Sequence, residues 1–147
     1  VQTRASIQAV ADAAGIGQHL RFLGVITDPQ ELACAYESAA LHIFPVRQLP
    51  GDPEGFGMVA IEAAAHGLPT VAFATGGVVD AVAEGESGHL VASGDYLSLA
   101  QAALQILADD PGAWQTRASA FAAQFAWPVM GQKLWHMLAK GTNPLDY

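Results

Sequence analysis

The sequence predicts an α/β domain built on a parallel sheet covered by helices on both faces. Three observations predict it. Apolar runs of five to seven residues, "LRFLGVI", "ALHIFP", "PTVAFA" and "GHLVA", alternate with longer helical patterns. Most of these runs are continuously apolar, as strands buried on both faces are. Glycine and proline stand where one pattern gives way to the other.

The elements follow in order. Gln2 to Ala14 reads as a helix closed by Gly15, and "LRFLGVI" as a short strand with Gly24 near its end. Asp28 caps the next helix, which starts on Pro29 and runs to about Ala39; an oxygen-bearing cap followed by proline favours that start. Ala40 to Phe44 is a buried strand ended by Pro45, and "VRQLPGDPEG" a loop. Gly55 to His66 is a helix closed by Gly67, with Pro69 beyond it. "PTVAFA" is a strand, "TGGVVDAVAEG" a short helix started by glycines, and "GHLVA" the last strand. Helices follow over Tyr96–Ala108, from Asp110-Pro111 to about Phe125, and from Pro128 to Lys140; "GTNPLDY" reads as a loose tail. Four strands are few for this class, so a first strand is expected to be missing ahead of residue 1.

Composition excludes several functions. The chain has 147 residues, 52% hydrophobic and 14% charged, with a net charge of -8 and six Lys plus Arg. No basic cluster of the kind that binds nucleic acid appears, and the acidic balance disfavours anionic lipid. No apolar run reaches the roughly 18–20 residues needed to span a bilayer. Cys34 is the one cysteine, so no internal disulfide forms, which suits a reducing, cytoplasmic setting. Cys34 lies in a helical pattern and reads as a small core residue. The apolar excess suggests a face covered within a larger protein.

Chemistry concentrates in "PEGFGMVAIEAAAHGLPTVAF". In open parallel sheets ligands sit outside the carboxyl ends of the strands. A helix starting there on Gly55-Phe56-Gly57 offers unpaired N–H groups and about +0.5 charge, and glycines let a bulky anion approach. That suits a phosphate or diphosphate. Glu54 and Glu62 are eight positions apart. If all eight steps were helical, they would stand ~12 Å apart along the axis and ~80° apart in rotation. That exceeds the carboxylate spacing of a glycosidase, about 5–9.5 Å. It fits hydrogen bonds to hydroxyls at either end of a ligand with a negative middle, the form of a nucleotide sugar. The bland alternative is an acid favoured by the helix dipole and a solvated Glu62; against it, Glu62 sits within an otherwise apolar stretch, Ile61 and Ala63-Ala64-Ala65.

With these residues in place, "EGFGMVAIEAAAHGLPTVAFATGGVVDAVAEGESGHLV" resembles the signature of retaining glycosyltransferases of the GT-B fold, family four. Upstream, "HLRFLGVITDPQELACAYESAALHIFP" is similar to that family's strand, turn, helix and strand, and "FAWPVMGQKLWHMLAK" to its C-terminal crossover helix. The resemblance covers nearly the whole chain and matches only the C-terminal, donor-binding half. It implies a Rossmann-like parallel sheet, a donor domain over residues 1–140 with the crossover helix at about 128–140, and a tail over 141–147.

The resemblance also implies roles. Glu54 would contact the donor sugar and stabilise positive charge in the transition state. The amides of Gly55, Phe56, Gly57, Met58 and Val59 would face sugar and diphosphate, and Glu62 would bond the ribose. The turn from Gly24 to Asp28 would contact the base, with Val25 and Ile26 as apolar walls beside Thr27 and Asp28. Ordinary strand-end core is an equal reading for Val25 and Ile26. Arg47 could meet a phosphate or simply be solvated. Gly76-Gly77 with Asp80 would lie near the active cleft. The family's phosphate-binding Arg and Lys fall upstream of residue 1, and the N-terminal acceptor domain is not in the chain. The isolated segment is therefore expected to be inactive. The donor would be a GDP- or UDP-sugar and the acceptor a saccharide or lipid-linked saccharide. No cofactor and no metal are expected, and any membrane contact would belong to the missing half. A nucleotide-sugar-binding module without transfer, and a sugar-nucleotide epimerase or phosphorylase, remain alternatives.

Other signals carry less. "GIGQHL" follows a helix and lacks a third glycine, so it is no dinucleotide fingerprint. The five histidines lack metal-ligand spacing. His42 reads as a satisfied core histidine and His66 as support for the last carbonyls of its helix. Trp114, Trp127 and Trp135 read as packing residues.

Overall fold

The computed structural model describes residues 3–46 and 55–140. Val1–Leu32 and Ala33–Tyr147 form two compact units, with the division inside a helix.

In the first unit, helix α1 (Arg4–Ala13) starts from a reciprocal cap: Ser6 N–H donates to Thr3 Oγ1 at 3.2 Å and Thr3 N–H to Ser6 Oγ at 3.0 Å. Such pairing satisfies two of the N–H groups that a helix start leaves open. A short 3-10 turn follows at Gly17–His19. The segment from Leu20 to Asp28 is irregular, which corrects the strand expected at "LRFLGVI". Its apolar side chains are not enclosed: Leu23 is 58% and Val25 91% exposed. An apolar run becomes a strand only where a neighbour supplies ladder hydrogen bonds and cover, and no ladder forms on this segment among the described residues. Helix α2 (Pro29–Glu37) begins as expected, with Asp28 Oδ1 accepting from Gln30 N–H at 2.7 Å.

The second unit holds the sheet. Strands β1 (His42–Phe44), β2 (Thr70–Phe73) and β3 (Gly88–Val91) lie in that order and all parallel, with His42 beside Thr70 and Thr70 beside Gly88. Helices α3 (Met58–Ala65) and α4 (Val78–Ala81) form the two crossovers. Side chains alternate across β2. Ala72 packs with Ala60, Ile61, Val78, Ala81 and Val82 on the α3/α4 side. Val71 and Phe73 pack on the other side against Leu99, Ala103 and Ile106 of α5 (Tyr96–Ala108) and Trp114 of α6 (Pro111–Ala122). All four residues of β2 are buried. The expected parallel α/β sheet flanked by helices is present, with three strands; β2 is covered on both faces, but β1, expected to be buried, leaves Ile43 48% exposed, since no described element covers that face.

Alanines set the spacing of α3 and α6: Ala64, Ala118 and Ala122 meet there, so the helices approach closely. Gly67 closes α3 with φ at 75°, as its sequence position predicts. His66 supports the last helix carbonyls through its backbone, its N–H donating to Ala63 C=O at 3.0 Å and to Glu62 C=O at 3.3 Å, while its imidazole turns elsewhere. Its Nδ1 lies 3.3 Å from Glu37 Oε1, because α2 presents that carboxylate within shorter reach.

Helix α7 (Trp127–Lys140) ends the described chain. Trp114 is a packing residue, 3% exposed, whereas Trp127 and Trp135 are 88% and 73% exposed. The helical spacing that suggested burial is real, but nothing among the described residues covers this face. Cys34 is exposed as well, which corrects its reading as core: its helix turns other residues inward. The expected loose tail lies outside the described residues.

Candidate functional site

Two glycine turns meet at the carboxyl edge of the sheet. The first, Gly55-Phe56-Gly57, leads into α3; the second, Thr75-Gly76-Gly77, follows β2 and leads into α4. Gly77 N–H donates to Gly55 C=O at 3.0 Å and ties them together. Gly57 is the residue before α3, with φ at 77° and ψ at 44°, and no side chain caps the helix. Ala60 N–H bonds Gly57 C=O at 2.9 Å. Among the described residues, the amides of Gly55, Phe56, Gly57, Met58 and Val59 have no hydrogen-bond acceptor. A helix start with open amides carries partial positive charge and favours an anion. Gly55, Met58 and Val59 are exposed, Phe56 is half-buried against Phe125 and Gly57 is buried.

Glu62 is exposed on α3, five residues beyond Gly57. With Ile61, Ala65, Ala122 and Phe125 it lines an open groove of about 410 Å³. Its Oε2 accepts from the Tyr36 hydroxyl at 3.3 Å. Burial first, and then the Glu62 carboxylate beside it, raise the Tyr36 phenol above its ordinary pKa. Sequence reasoning missed this contact, since nothing in "ELACAYESAA" marks which face of α2 meets α3. A second cleft of about 240 Å³, lined by Tyr36, His66, Pro69, Ile106 and Trp114, opens where Pro69 enters β2. That is the amino end of the sheet, opposite the edge where ligands of such sheets bind.

The remaining candidates divide by place. Glu54 and Arg47 lie outside the described residues. In the first unit Val25 is fully open, Ile26 half-buried and Thr27 exposed, so the strand-end-core reading fails for Val25. Asp28 spends a carboxylate oxygen on the α2 amides. Asp80 is exposed on α4. No group of three side chains suited to a metal occurs among the described residues, nor does any helix there have the length and apolarity to cross a membrane.

The sequence and the fold have known counterparts. Residues 2–109 match the family model of the glycosyl transferases group 1. The chain belongs to that family. Over 122 residues it is 40% identical to a D-inositol 3-phosphate glycosyltransferase of Corynebacterium diphtheriae, covering 82% of this chain and 27% of that protein. Among solved structures, sucrose-phosphate synthase from Thermosynechococcus elongatus matches with a TM-score of 0.72 and 32% identity, over 95% of this chain and 35% of that one. The Anabaena HepE protein in complex with UDP and glucose matches with a TM-score of 0.74 and 25% identity, over 92% of this chain and 36% of that one. The group 1 chain therefore spans about a quarter to a third of the length of these relatives.

Proposed function

We propose that this chain is the donor-binding part of a hexosyltransferase. The protein would move a sugar from a GDP- or UDP-sugar to a saccharide or lipid-linked acceptor, with retention at the sugar carbon. One observation carries the reading: α3 starts at the carboxyl edge of a parallel sheet with the amides of residues 55–59 unengaged by any described residue. A diphosphate placed there would accept hydrogen bonds from fixed donors. Their effect grows as negative charge develops on the leaving group. Glu54 would contact the sugar, and Glu62 the ribose. Arg47 would meet a phosphate, and the turn from Gly24 through Val25, Ile26, Thr27 and Asp28 the base. That HepE, similar to this chain in fold, was solved in complex with UDP and glucose supports a nucleotide sugar as the ligand class. The acceptor would be held by a separate N-terminal domain, and donor chemistry of this kind suits the cytoplasm. Since six Lys plus Arg serve the entire chain, the diphosphate would lean mainly on amides, with Arg47 as the one basic partner proposed, and affinity would be low.

Nuclear magnetic resonance tests the reading. Titrating the 147-residue chain with UDP, GDP and ADP up to millimolar concentration should shift the amide resonances of residues 55–59, most for UDP or GDP. Glu62→Gln should weaken that binding. Absence of any shift there with all three nucleotides would remove the reading.

A further inference from the structure

Tyr36 meets α3 at two points, through its ring and through its hydroxyl. Glu62 and His66 are four residues apart, so they stand one above the other on one face of the helix. The Tyr36 ring stacks on the His66 imidazole, with centroids 5.3 Å apart and an interplanar angle of 11°. Its hydroxyl reaches Glu62 Oε2 at 3.3 Å. His66 is itself held through Nδ1 by Glu37 Oε1 at 3.3 Å. The chain of contacts runs from α2 to α3 and back: Glu37 fixes the imidazole, the imidazole fixes the ring, and the ring aims the hydroxyl at one carboxylate oxygen.

We propose that Tyr36 is a positioning residue that holds the Glu62 carboxylate in one orientation, with Oε2 occupied and Oε1 turned to a nucleotide's ribose hydroxyl. This rests on the ribose-binding role proposed for Glu62. An exposed glutamate on a helix samples several rotamers and loses that freedom when it grips a ligand. A hydroxyl already bonded to one oxygen removes part of that loss before the ligand arrives. Tyr36 touches neither sugar nor phosphate, so its contribution appears only where the ribose hydroxyls are read.

Tyr36→Phe keeps the ring on His66 and removes only the hydroxyl. The probes are UDP and GDP, each beside its 2′,3′-dideoxy counterpart, with dissociation constants measured by titration of the whole chain. The unmutated chain should prefer the ribose form of whichever nucleotide binds. Tyr36→Phe should lower that preference about three- to tenfold, the size of one net hydrogen bond, with dideoxy binding unchanged. In the Glu62→Ala background, where no acceptor remains for the hydroxyl, the same substitution should have no further effect, as a double-mutant cycle requires of a residue acting through another. A melting curve checks folding. Should Tyr36→Phe be unstable, the ¹³Cζ resonance of Tyr36 in the unmutated chain serves instead, moving with the ribose form and not with the dideoxy form. If the nucleotides bind and discriminate ribose but Tyr36→Phe leaves the ratio intact, Tyr36 has no positioning role and the donor-site reading survives. If they bind without discrimination, the Glu62 assignment and this proposal fall. If none binds, the donor-site reading falls and takes the proposal with it.

Discussion

The turns before α3 and α4 are both built on glycine, yet their glycines are needed for different reasons. A Cβ at Gly77 would stand 2.1 Å from Gly55 O and 3.0 Å from Phe56 Cα. Gly77 has φ at -75°, open to any residue, so only space demands glycine there. Gly57 is buried with φ at 77°, and a Cβ would meet Phe44 Cε1 at 3.3 Å. There the backbone conformation demands it. Gly55 meets neither demand: no described atom lies within 4 Å of the place a Cβ would take, and its φ is not positive. Under the proposed donor site, a glycine on this exposed turn would serve the close approach of a ligand.

The largest effect should come from Gly77→Ala. The obstructing atoms are backbone, so the turns must separate and the Gly77–Gly55 hydrogen bond breaks. Overpacking costs about 1–3 kcal/mol and the lost bond about 1 kcal/mol. Urea denaturation should show a loss of about 2–4 kcal/mol, and nucleotide binding should fall with it. Gly57→Ala comes next. A left-handed alanine costs about 1–2 kcal/mol, and the Phe44 ring has to yield slightly. A stability loss equal to that of Gly77→Ala would show that space, not backbone conformation, governs both turns.

Gly55→Ala divides stability from function. Unfolding free energy should stay within about 0.5 kcal/mol of the unmutated value, while the UDP- or GDP-induced shifts at residues 56–59 should need several times more nucleotide. Loss of stability comparable to Gly57→Ala would place Gly55 with the structural glycines. Unchanged binding would place the diphosphate elsewhere.

These turns also mark where the sequence was readable. The strands at 42–44, 70–73 and 88–91 were legible as short apolar runs set between turn signals; β2 is buried throughout, whereas β1 leaves Ile43 exposed. The stop of α3 was legible because Gly67 carries a local conformational demand, whereas its start, expected at Gly55, falls at Met58 after Gly57 at positive φ. "LRFLGVI" was misread because an apolar run does not disclose whether a partner strand pairs with it. Trp127 and Trp135 were misread for the same reason: a helical stripe shows which side chains align, not what covers them. At the site, the open amides followed from glycine and helix polarity. The Gly77–Gly55 bond and the Tyr36–Glu62 contact did not, because each joins residues more than twenty positions apart through packing that no local pattern encodes.

The smallest effect separates the two ends of the sheet. His42 opens β1 at the amino end, half-buried, with Nδ1 3.1 Å from the hydroxyl of buried Thr70. Burial lowers its pKa below the ordinary value, which is about 6.5. Folding thus favours the neutral ring, and below about pH 6.5 the unfolded chain binds more protons than the folded one. The contribution of His42 to stability is present above that pH and declines as pH falls toward the lowered folded value. His42→Gln should remove this component: the stability difference between the variant and the unmutated chain should narrow between pH 7 and pH 5. Nucleotide binding at pH 7 should be unchanged, since the residue lies at the edge away from the glycine turns. If His42→Gln weakened UDP or GDP binding as Gly55→Ala does, the amino and carboxyl ends of β1 would not be functionally separate, and the contrast between packing glycines and ligand-facing glycine would lose its footing.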